Sequence, residues 1–81
     1  MEKKDQIMAV LYAKAKGFPV PEDHPTPCGE VAQATHLTVD AVLTLARQLA
    51  EEGFVTLCPQ QDPPLLYLTV LGVMRGRKLT A

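Results

Sequence analysis

Eighty-one residues make one small domain, too short for two lobes around a large catalytic cleft. Apolar residues form 47% of the chain and charged residues 21%, the usage of an ordinary globular fold, which argues against a disordered or fibrous chain. The net charge of -1 hides a segregation: Met1 to Lys16 carries four lysines against two acids, Gly17 to Met74 one arginine against seven acids, and the remaining tail three cations. The longest strongly apolar run, Leu65 to Met74, falls far below the roughly 20 residues that span a bilayer, and no basic-then-apolar leader opens the chain. A soluble, cytoplasmic protein without a membrane partner is the expectation.

In chain order, Ile7, Met8, Leu11 and Ala15 recur at spacings of three and four, which predicts an amphipathic helix from about Lys3 to Lys16. Gly17 ends it, and Pro19, Pro21, Pro25 and Pro27 make Phe18 to Pro27 an extended surface loop. Thr26 before Pro27 has the order of an N-cap followed by a first-turn proline, so a short helix is predicted from Pro27 to about Ala34, with Val31 and Ala32 facing the core. Thr35, His36 and Leu37 then turn the chain. Thr38 caps a third helix with Asp40 near its positive end, and Val42, Leu45, Ala46 and Leu49 carry its apolar stripe to Glu52, where Gly53 suits a left-handed cap. Phe54 to Cys58 and Leu65 to Leu68 are β-favouring runs joined by the turn Pro59 to Pro64, a hairpin whose prolines place it at a sheet edge. Thr69 caps a last helix from about Val70 to Lys78, with cations near its negative end.

Three stretches resemble the winged helix-turn-helix family, including MarR-like transcriptional regulators, and the resemblance covers nearly the whole chain. They are Glu30 to Thr38 (a helix and turn), Leu45 to Val55 (a recognition helix leaving into a wing), and Tyr67 to Gly72 (a wing strand returning into a final helix). The implied fold is mainly α with a small β-hairpin, an α+β winged helix-turn-helix with a three-helix core, a two-stranded wing and a C-terminal helix. The implied function is non-enzymatic binding of double-stranded DNA in transcription regulation. On that resemblance, residues 38–52 form the recognition helix, and Thr38, Asp40, Ala41, Thr44, Arg47 and Gln48 lie in a major groove. Arg47 suits a guanine edge and Gln48 an adenine, while Gln60 and Gln61 at the wing tip approach a minor groove or the backbone.

Other constellations carry less chemistry. His24, Cys28, His36 and Cys58 lack the close paired spacing of a zinc site, so no metal is expected; the glycines form no phosphate-binding loop, and no cofactor is expected. Two cysteines without a secretion signal read as reduced thiols, with Cys58, at a strand end, the more accessible. Adjacent Glu51 and Glu52 point apart on a helix and read as a solvated end rather than an acid–base pair. The tail cations Arg75, Arg77 and Lys78 suit phosphate contact and dipole compensation equally well. Val70, Leu71, Val73 and Met74 cover more of the last helix than one core-facing stripe, which predicts exposed apolar surface and a homodimer through the first and last helices. The acidic middle favours an alternative, a winged-helix module that docks on a protein partner instead of nucleic acid.

Overall fold

A computed structural model describes residues 2–80. Helix α1 (Lys3–Ala15) is followed by a 3-10 turn (Pro21–Asp23) and a two-residue strand β1 (Thr26–Pro27). Helices α2 (Cys28–Thr35) and α3 (Val39–Glu51), strands β2 (Val55–Cys58) and β3 (Leu65–Leu68), and helix α4 (Val70–Thr80) complete the order. Ile7, Met8, Leu11 and Ala15 of α1 are buried, as their spacing predicts, together with Val31, Val42, Ala46, Leu49, Leu66 and Leu68. Full burial of a side chain the size of Ile7 or Leu66 contributes about 1.5–3 kcal/mol, so this one cluster drives the fold.

The turn between α2 and α3 is built by backbone geometry. His36 adopts a left-handed conformation (φ 58°) and Leu37 donates its N–H to Ala32 O at 3.1 Å, a hydrogen bond that closes the end of α2. Half-buried Leu37 then packs on the core, which helps to offset the left-handed conformation of a residue with a Cβ. Thr38 starts α3 as expected: its Oγ accepts the Ala41 N–H at 3.1 Å. Thr38→Ala is expected to lower unfolding free energy by about 1 kcal/mol in urea titration, and Thr38→Ser to retain most of it.

Gly53 ends α3 at φ 86°, with Gly53 N–H to Ala50 O at 3.1 Å and Phe54 N–H to Leu49 O at 3.0 Å. These two bonds form a Schellman cap, the arrangement that favours glycine at this position. The chain passes directly into the hairpin, where Val55 faces Leu68 and Leu57 faces Leu66 across the antiparallel pair. Thr69 then closes the circuit. Its N–H donates to Phe54 O at 3.1 Å, its hydroxyl donates to Gly53 O at 2.6 Å, and its own hydroxyl oxygen accepts the Gly72 N–H at 3.0 Å. One threonine therefore caps α4 and ties it to the exit of α3.

Several boundaries differ from the sequence reading. Thr26 does not cap α2; Thr26 and Pro27 pair with Leu66 and Leu65 of β3, and this pairing holds them extended, so α2 begins at Cys28. The loop from Phe18 to Pro27 accordingly contains a 3-10 turn as well as a strand. The sheet order is β1-β3-β2, so β2 is an edge and β3 is central. Helix α4 runs two residues further than expected, to Thr80, whose hydroxyl donates to Gly76 O at 3.0 Å. Leu45, assigned to the apolar stripe of α3, is half-buried against the core.

Candidate nucleic-acid interface

The buried stripe Val42, Ala46 and Leu49 fixes which side of α3 faces outward. Thr38, Asp40, Thr44, Arg47 and Gln48 are all exposed, and Ala41 is half-buried beside them. Spacings of three and four bring Asp40, Thr44, Arg47, Gln48 and Glu51 onto one continuous outer face. Thr44 turns its hydroxyl back to donate to Asp40 O at 3.0 Å, and Thr38 uses its oxygen for the cap, which leaves its hydroxyl hydrogen available. Arg47 is exposed and makes no ion pair or hydrogen bond with another side chain among the described residues, so its guanidinium donors are uncommitted.

The charge on this face differs from a count along the helix. Glu52, which the sequence reads as part of a solvated end, accepts a hydrogen bond from Lys4 of α1 at 2.9 Å. That hydrogen bond, reinforced by the charge of Glu52, raises the Lys4 ammonium above its ordinary value. The outer face keeps Asp40 and Glu51 beside Arg47, while the third carboxylate is neutralised by a residue 48 positions away. A second ion pair, Arg75 to Asp5 at 3.3 Å, joins α4 to α1. Both pairs are open to solvent, so water and salt screen them and each adds little to stability. Sequence reasoning missed Lys4 because nothing in its local pattern names a partner so distant.

Gln60 and Gln61 are exposed in the turn between β2 and β3, together with Asp62 and Pro63. The base of this wing is held by the Cys28 N–H, which donates to Pro64 O at 2.9 Å. Cys28 itself is fully buried, and burial pushes its thiol above the ordinary range; Cys58 is half-buried, the order of accessibility expected. Among the described residues, no group of three or more His, Cys, Asp or Glu side chains comes together as a metal site. No described helix is long and apolar enough to cross a membrane.

Three solved structures share this arrangement of helix, turn, helix and hairpin. The transcriptional regulator Tm0710 from Thermotoga maritima superposes with a TM-score of 0.71 at 19% identity, over 99% of this chain and 51% of its own. MepR, a transcription regulator of the Staphylococcus aureus multidrug efflux pump MepA, gives 0.72 at 17% identity, over 99% of this chain and 56% of its own. This chain has the winged helix-turn-helix fold. YusO from Bacillus subtilis gives 0.67 at 18% identity, over 93% of this chain and 51% of its own. The winged domain thus spans about half the length of each of these structures. The sequence matches no protein-family model and no curated protein.

Proposed function

We propose that this domain binds double-stranded DNA without enzymatic chemistry, as the DNA-reading part of a transcription regulator. The observation that carries the reading is the outer face of α3, which presents Arg47 and Gln48 unencumbered on a helix fixed from both ends by Thr38 and Gly53. In a major groove, Arg47 donates two parallel hydrogen bonds to guanine and Gln48 pairs with adenine. Asp40 would accept from a cytosine amino group, and Ala41 would touch a thymine methyl. Thr38 and Thr44 reach phosphate or base, and Gln60 and Gln61 bring the wing tip toward the backbone or a minor groove. The fold shared with two transcription regulators supports the same reading.

The finer reading includes a homodimer through the terminal helices, which would present two recognition helices to half-sites about 34 Å apart. Its support is the exposed apolar surface of α4, where Val70, Leu71 and Met74 are all more than half exposed. Cations at the chain ends would then flank the duplex and supply phosphate contacts that the single arginine of α3 does not.

Fluorescence anisotropy with a labelled random-sequence duplex, from about 50 mM salt upward, tests DNA binding. The expected result is an affinity that falls linearly on a log-log plot, with a slope of about -0.9 per phosphate contacted. Absence of binding at the lowest salt would overturn the reading and direct attention to a protein partner for the acidic face.

A further inference from the structure

Two exposed apolar patches of this chain carry opposite charge. One is a groove of about 250 Å³ on α4, floored by Phe54, Leu71 and Met74 and rimmed by Arg75 and Lys78. Helix α4 contains no acidic residue, and Lys78 makes no ion pair among the described residues. The other patch is the loop after α1, where Phe18 is 44% and Val20 45% exposed and Glu22 and Asp23 follow immediately. Neither carboxylate makes an ion pair among the described residues, and Gly17 to Pro27 holds no lysine or arginine.

The loop is also rigid enough to act as a knob. Pro19, Pro21 and Pro25 restrict its backbone, and Asp23 N–H to Val20 O (3.1 Å) and His24 N–H to Pro21 O (3.2 Å) close the 3-10 turn. Phe18 stacks on His24 with ring centroids 3.7 Å apart and planes inclined by 15°. Apolar side chains presented on a preorganised loop lose little entropy when they are buried, which favours their use in association. The 3-10 turn packs against α4 as well as α1 and β3, so loop and helix are neighbours within one chain. A chain that carries both an acidic apolar knob and a basic apolar groove can pair with a second copy reciprocally, each knob seated in the other's groove.

We propose that a second copy of this chain inserts Phe18 and Val20 into the α4 groove, with Glu22 and Asp23 meeting the Lys78 rim, and that the contact is reciprocal. This rests on the dimer reading above and specifies the surface that mates with α4. The occupant is a second copy because the chain itself supplies both the apolar knob and the charge that the groove lacks.

Sedimentation equilibrium of the intact chain at micromolar concentration tests it, with circular dichroism to verify that each variant folds. The wild type should be a dimer. Phe18→Ser with Val20→Ser, or Met74→Ser, should weaken association at least tenfold, since all three side chains are exposed in the monomer. Asp23→Lys and Lys78→Glu should each weaken it, and their combination should restore it to within a few-fold of wild type. A dimer indifferent to the loop changes, or charge reversals that do not rescue one another, would overturn this interface while leaving dimerisation through another surface intact. A monomeric wild type would overturn both, and the DNA titration judges DNA binding separately.

Discussion

Gly72→Ala is expected to destabilise the domain by about 2 kcal/mol, although alanine is the better helix former by up to about 1 kcal/mol. A Cβ at position 72 would run into the Phe54 carbonyl oxygen and stand 3.1 Å from Leu68 Cδ2. The obstacle is backbone. That carbonyl already accepts the Thr69 N–H at 3.1 Å, so moving it would loosen the junction where α3, the hairpin and α4 meet. Relief would need α4 to shift away from the core that its buried Val73 joins. Gly29→Ala provides the control, because nothing lies within 4 Å of a Cβ there and the helical backbone of α2 accepts alanine. It should be neutral or stabilise by up to about 1 kcal/mol. Thermal unfolding resolves the pair, since 1 kcal/mol corresponds to roughly 4–8 °C in a domain of this size. Equal midpoints for Gly72→Ala and wild type would show that the close approach of α4 to Phe54 is not a constraint.

What the sequence makes legible is local. The cap and stripe of α3 are readable because Thr38, the apolar residues at helical spacing and Gly53 act within one helix length. The same holds for the hairpin runs and for Thr69, whose capping role is a three-residue relation to Gly72. Thr26 and Pro27 mislead for an equally physical reason. A threonine before proline suits an N-cap, but it also suits an extended segment, and only pairing with Leu65 and Leu66 decides between them. Long-range partners account for the other omissions. Lys4 finds Glu52 across the tertiary fold, and Gly72 and Gly76, isolated glycines in a predicted helix, prove to be points of close approach to Phe54 and Tyr12.

The candidate site divides along the same line. Its outward residues on α3 follow from knowing which residues are buried, so Asp40, Thr44, Arg47 and Gln48 were identifiable from periodicity once the resemblance supplied a role for that face. Its charge was not. Counting along the helix sets three carboxylates against Arg47, whereas the folded chain sequesters one of them with α1 and leaves two. On the proposed function an acidic face has consequences: Asp40 and Glu51 would oppose phosphate, so nonspecific affinity would have to come from cations elsewhere and base recognition would fall disproportionately on Arg47.

Arg47→Ala should therefore weaken binding to a preferred duplex, selected from a random pool, by about 1–3 kcal/mol, roughly 5- to 150-fold. The loss should be specific to sequence. A guanidinium that donates two hydrogen bonds to one guanine discriminates at one base pair, so the variant should tolerate substitution there while retaining preferences elsewhere. A phosphate contact would behave differently, weakening all duplexes alike and reducing the salt slope by about one. Arg47→Lys separates charge from geometry, since lysine keeps the cation but lacks the planar fork and should recover only part of the loss. Folding should not confuse the result: Arg47 is exposed, pairs with no side chain among the described residues, and occupies a helical position where alanine is well tolerated. Unchanged affinity across the duplex series would remove α3 as the reading helix. A uniform loss with a shallower salt slope would instead move Arg47 from the base edges to the backbone, and the search for sequence recognition would pass to Gln48 and the wing.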